Sequence, residues 1–166
     1  MTHGARTLRG AGGFTLIELV ITLALVGVVA MTALPLYDVS ATRSKEVELR
    51  SALRTIRTAI DAYKTAVDAG QVPKGATESG YPPSLETLVQ GVDAARDNVN
   101  GGRRIVFLRN IPRDPFADDP AAAPVRHWAT RTYGAPPDDL RSGDDVFDVA
   151  SRSARVGSNG VPYREW

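Results

Sequence analysis

The 19 residues from Leu19 to Tyr37 carry no charge, and the residue that opens this run is Glu18. As helix at 1.5 Å per residue the run covers about 28 Å, close to the roughly 30 Å hydrocarbon core of a bilayer. Such a segment can span a membrane. A charged side chain within a span costs on the order of 3 kcal/mol, so Glu18 at its edge marks a functional position or one that a partner neutralises. The short leader ahead of the run contributes Arg6 and Arg9. By the positive-inside rule the leader faces the cytoplasm and everything after the span lies outside it.

Composition excludes several classes of function. The chain has 20 basic and 19 acidic side chains, and without the first 13 residues the balance is 18 to 19. A near-neutral chain without a basic stripe gives no footprint for a nucleic-acid partner. With no cysteine there is no disulfide, and nothing in the sequence reports the redox compartment. The two histidines are His3 and His127. Neither His127 nor any serine lies in a nucleophile motif, there is no phosphate-binding glycine loop, and no His/Cys metal spacing occurs. His127, beside Trp128, reads as a packing or surface residue. The aspartate pairs Asp118-Asp119, Asp138-Asp139 and Asp144-Asp145 read as solvated loops. The expected protein is not an enzyme.

Beyond Pro35 the chain turns amphipathic. Leu49, Leu53, Ile56, Ile60, Tyr63 and Val67 follow one another at alternating steps of four and three, the signature of one buried helical face. Arg50, Arg54, Arg57, Asp61 and Lys64 occupy the other faces. No Gly or Pro interrupts residues 36–69, and Gly70 is a stop signal. One long helix from Phe14 to about Ala69 is expected, kinked or locally melted at Pro35. A short coiled-coil seam is the alternative for the stripe. About 130 residues follow the leader and span, enough for one small domain with a modest core.

The remainder reads as short elements. Ser84 can cap a helix whose apolar face is Leu85, Leu88 and Val89 and which Gly91 ends. Asn100-Gly101-Gly102 marks a turn, and the apolar run Ile105 to Leu108 pairs or packs extended. Two prolines in Ile111-Pro112-Arg113-Asp114-Pro115-Phe116 impose an ordered, extended loop. Strands are expected over Val125 to Tyr133 and Val146 to Ser151, with Asn159-Gly160 as a turn before Val161 to Trp166. These pieces predict a small antiparallel sheet laid against the long helix.

The run Gly13-Phe14-Thr15-Leu16-Ile17-Glu18-Leu19-Val20, after its basic leader and with Pro35 inside the first helix, resembles the class III signal of type IV pilins and type II secretion pseudopilins. The resemblance implies a pilin-like α+β fold with a leader at 1–13, a membrane-spanning or filament-core helix at 14–37, its amphipathic second half at 38–69, and a periplasmic domain at 70–166. It implies that a membrane-embedded prepilin peptidase cuts between Gly13 and Phe14 and methylates Phe14. Glycine suits that cut because no side chain obstructs the backbone. The new amino group, with an ordinary pKa of about 7.7 to 8.0, lies one helical turn from Glu18. The resemblance implies that Glu18 of an incoming subunit pairs with the Phe14 ammonium of a neighbour, where low dielectric strengthens the attraction. Two other routes fit the same residues: a secretory signal peptide with small residues at Val28-Val29-Ala30, and an uncut anchor holding a periplasmic module.

Tyr81-Pro82-Pro83-Ser84-Leu85-Glu86-Thr87-Leu88, Phe107 to Phe116, Val146-Phe147-Asp148-Val149 and Tyr163-Arg164-Glu165-Trp166 are most similar to the major, G-type pseudopilin. That resemblance implies a structural subunit held in the inner membrane and added to a periplasmic pseudopilus by an assembly platform and its ATPase, alongside other pseudopilins, so that filament growth drives proteins across the outer membrane. A type IV pilus subunit is the neighbouring alternative. The resemblance also implies calcium in the C-terminal loop, for which Asp144, Asp145, Asp148, Ser151 and Asn159 are candidate oxygens. The two arginines of Arg152 to Ser158, a stretch with no acid, depart from that pattern.

Overall fold

The computed structural model describes residues 13–74, 77–95, 103–136 and 139–166, apart from the side chains of 32–37. The chain divides into two units, Met1–Ala41 and Thr42–Trp166. Helix α1, Leu16–Asp68, contributes to both. In the first unit its side chains from 16 to 31 are exposed on every face, with Leu16 at 84%, Ile17 at 67%, Leu23 at 69% and Val29 at 66%. Among the described residues no helix is long and apolar enough to cross a membrane. Helix α1 begins at Leu16, two residues after the expected Phe14, and runs as continuous helix through Pro35, so it is not locally melted there; the Pro35 side chain lies outside the described residues.

In the second unit the same helix becomes one-sided. Leu49, Leu53, Ile56, Ile60, Tyr63 and Val67 are all buried, so the stripe serves the chain's own core and not a coiled-coil seam. Each such side chain contributes about 1.5 to 3 kcal/mol by leaving water. The helix stops at Gly70, whose φ of 67° suits a residue without Cβ. The Gly70 amide donates to the Val67 carbonyl and the Gln71 amide to that of Ala66, both at 2.9 Å, the paired closure of a Schellman end.

Helix α2, Leu85–Gln90, forms as its sequence predicts. Ser84 caps it by accepting the Thr87 amide, Leu85 and Leu88 are buried, and Gly91 ends it at φ 74°. Strands β1 (Val92–Asp93) and β2 (Arg104–Ile105) then pair antiparallel. The apolar run after Ile105 leaves this ladder because the amides of Phe107 and Leu108 both donate to the Leu88 carbonyl of α2. The turn expected at Asn100-Gly101-Gly102 lies outside the described residues.

Two expectations are corrected. The segment from Val125 is not strand throughout: Pro124–His127 forms a 3-10 turn with proline in its first positions, and only then does β3 run from Trp128 to Arg131. It pairs antiparallel with β4, Asp148–Ser151, in the register Trp128 to Ser151 and Arg131 to Asp148. Val161 to Trp166 is not a strand either. Val156 and Pro162 make one isolated bridge, and Tyr163–Glu165 closes as a 3-10 turn. The described residues therefore hold two two-stranded sheets in place of one. Leu108, Phe116, Trp128, Val146, Val149 and Tyr163 complete the core against α1.

Candidate functional site

The N-terminal junction is built from three residues outside any helix and a helix start. Residues 13–15 lie outside α1. The Glu18 amide donates to Thr15 Oγ1 at 3.3 Å and the Leu19 amide to the Thr15 carbonyl at 3.2 Å, so Thr15 stands as the N-cap of α1. Gly13 has open space where a Cβ would stand, and Phe14 is 82% exposed. Glu18 is exposed on the first turn, surrounded by exposed Ile17, Leu19, Ile21 and Val20, with no ion pair among the described residues. Gly13 and Phe14 thus lie just before the helix whose first turn carries Glu18. The helix start leaves the Gly13–Phe14 peptide bond outside the helix and places the exposed Glu18 carboxylate among exposed apolar side chains.

The second unit contains a buried carboxylate that the sequence reading passed over. Glu46 is 3% exposed and accepts the Ser158 amide and hydroxyl, each at 2.6 Å, and the Tyr163 hydroxyl at 3.2 Å. The Ser158 hydroxyl foremost, then the Ser158 amide, Tyr163 and the charge of Arg50, hold its pKa below the ordinary value of 4.5 against the opposing effect of burial. Tyr163 in turn stacks on Phe116 and meets Trp166 edge-on. Glu46 therefore ties the C-terminal loop to α1. The available signal was its place three residues before Leu49 on the apolar stripe, a position where an acid must find partners.

The candidate calcium oxygens do not converge. Asp145 is buried and accepts the hydroxyls of Ser79 and Thr132 and, at 2.9 Å, the amide of Tyr133. Asp148 lies between two arginines, 2.7 Å from Arg57 and 3.4 Å from Arg131. Ser151 donates its hydroxyl to buried Asp114, and Asn159 Oδ1 accepts the Val161 amide. Asp144 is exposed. A cation at Asp148 would have to displace guanidinium groups, so these residues do not fit calcium. Among the described residues no group of three or more His, Cys, Asp or Glu side chains is placed to hold a metal ion.

His127 is buried and accepts the Asp114 amide at Nδ1, at 3.2 Å. Its Nε2 has no hydrogen-bond partner among the described residues. Asp114 uses its other contacts on Ser151 and on the Phe116 amide, which fixes the two-proline loop to β4.

Comparison with curated proteins and with solved structures finds no match. Residues 8–34 match the family model described as the prokaryotic N-terminal methylation motif, so this chain carries the N-terminal signal of type IV pilin-like proteins.

Proposed function

We propose that the protein is a non-enzymatic structural subunit of a type II secretion pseudopilus. A prepilin peptidase cuts the chain between Gly13 and Phe14 and methylates Phe14. The 14–37 segment holds the subunit in the inner membrane with its C-terminal domain in the periplasm. An assembly platform and its ATPase then add it, with other pseudopilins, to a filament whose core is made by the same helices. The observation that carries this reading is the change along α1, from residues 16–31, exposed and apolar apart from Glu18 and Thr22, to a second half that covers its own core, within and behind a matched methylation motif. A subunit with that division polymerises through one half and displays the other.

The test is co-expression with the export machinery, followed by imaging of periplasmic and sheared surface filaments for the wild type and Glu18→Ala. Periplasmic filaments from the wild type, and cleaved but unassembled Glu18→Ala, are the expected results. Long surface fibres would make the protein a type IV pilus subunit, and wild-type protein that never polymerises would leave an anchored module. Glu18→Ala filaments at normal yield would refute the charge-pairing role.

A further inference from the structure

We propose that Thr15 is a positioning residue for maturation: its hydroxyl caps α1, fixes the helix start at Leu16 and so leaves the Gly13–Phe14 bond outside the helix, free to take the extended form that a peptidase groove accepts. The inference rests on the processing reading above and names a determinant within the substrate itself.

The geometry is local. Thr15 Oγ1 accepts the Glu18 amide and the Thr15 carbonyl accepts that of Leu19, so the helix begins immediately after Thr15 while residues 13–15 stay outside it. Thr15 and Glu18 stand in the Thr-x-x-Glu spacing of a capping box, of which the Thr15 half is formed. Upstream, the open space around Gly13 and the 82% exposure of Phe14 leave the bond accessible from both sides. Hydrolysis adds water across the Gly13 carbonyl carbon and the Phe14 nitrogen, leaving a carboxylate on Gly13 and a protonated amine on Phe14. A peptidase groove that aligns the bond by strand-like contacts needs backbone amides and carbonyls that are not engaged in a helical turn.

The cap decides the outcome because a competing start lies two residues away. Glycine ranks with threonine as an N-cap. Without the Thr15 acceptor, Gly13 becomes the better cap, and a helix starting there draws Phe14 into its first turn and the scissile bond with it. Valine keeps the β-branched shape of threonine and removes the acceptor; serine keeps the acceptor.

The experiment uses the full chain in membranes with a prepilin peptidase, and follows initial cleavage rates by intact mass for wild type, Thr15→Ser and Thr15→Val. Loss of one cap predicts cleavage slowed about fivefold in Thr15→Val, with Thr15→Ser within about twofold of wild type. Faster hydrogen exchange at the Glu18 amide in Thr15→Val should accompany the slowing. Thr15→Val cleaved at the wild-type rate, or Thr15→Ser as slow as Thr15→Val, overturns the role of the hydroxyl while leaving the processing reading intact. A wild type that is not cut at all overturns both.

Discussion

Replacing Glu46 with alanine should be the most damaging single change to the C-terminal loop. The substitution removes the acceptor for the Ser158 amide and hydroxyl and for the Tyr163 hydroxyl. Hydrogen bonds to a charged group contribute about 1.5 to 3 kcal/mol where water cannot replace the acceptor. Ser158 is exposed, so water substitutes there and its two bonds together account for about 1 kcal/mol. Tyr163 is 1% exposed, and its orphaned hydroxyl costs about another 2 kcal/mol. The sum is about 3 kcal/mol, which for a unit of this size lowers the melting temperature by about 12 °C. Thermal unfolding of the full chain in detergent, followed by near-ultraviolet circular dichroism, reads this directly. In a Tyr163→Phe background the cost of Glu46→Ala should fall by about 1 kcal/mol or more, since no hydroxyl is then left without a partner. A melting temperature within about 3 °C of wild type, or strictly additive effects in the double variant, would refute the anchoring role.

Three further outcomes follow from the same contacts. Glu46 and Asp145 both have lowered pKa values, the latter despite burial because Ser79, Thr132 and the Tyr133 amide hold the charged form. Groups depressed in the folded state stabilise it above their unfolded values and lose that contribution as pH falls through the folded ones, so the melting temperature should be flat near neutrality and drop below about pH 4; a rise on acidification would contradict this. Gly157→Ala would place a Cβ 2.5 Å from Trp166 and 2.8 Å from Asn159 Oδ1, and should destabilise by about 2 kcal/mol in denaturant titration. Arg57→Met should cost about 1.5 kcal/mol, since Arg57 binds Asp148 and the carbonyls of Val149 and Trp166 but its side chain remains 37% exposed.

Legibility in the sequence followed the length of each pattern. The stripe from Leu49 to Val67 repeats often enough to specify one helix face, and Ser84 and Gly91 mark both ends of α2 by side-chain and backbone chemistry that acts locally. The two-residue strands β1 and β2 are too short for any period to show, and β2 ends because Leu88, distant in sequence, takes the next amides. Val125 is a strand former, yet Pro124 starts a turn that carries residues 125–127 out of the ladder. The terminal residues are set by contacts distant in sequence as well: the Tyr163 amide donates to the Arg155 carbonyl, and its side chain reaches Phe116 and Glu46. At the candidate site the motif from Gly13 to Glu18 was readable residue by residue. The structure added the capping bond at Thr15, and it dispersed the oxygens that a family resemblance would have gathered around calcium.

The identity of the mature amino terminus decides most directly whether the chain is processed and assembled as a pilin-like subunit. Intact mass and N-terminal sequencing of the protein from membranes of its native host should give a chain beginning at N-methylated Phe14. A start near residue 31, or an uncut leader, would contradict the account and remove the basis for assembly through Phe14 and Glu18.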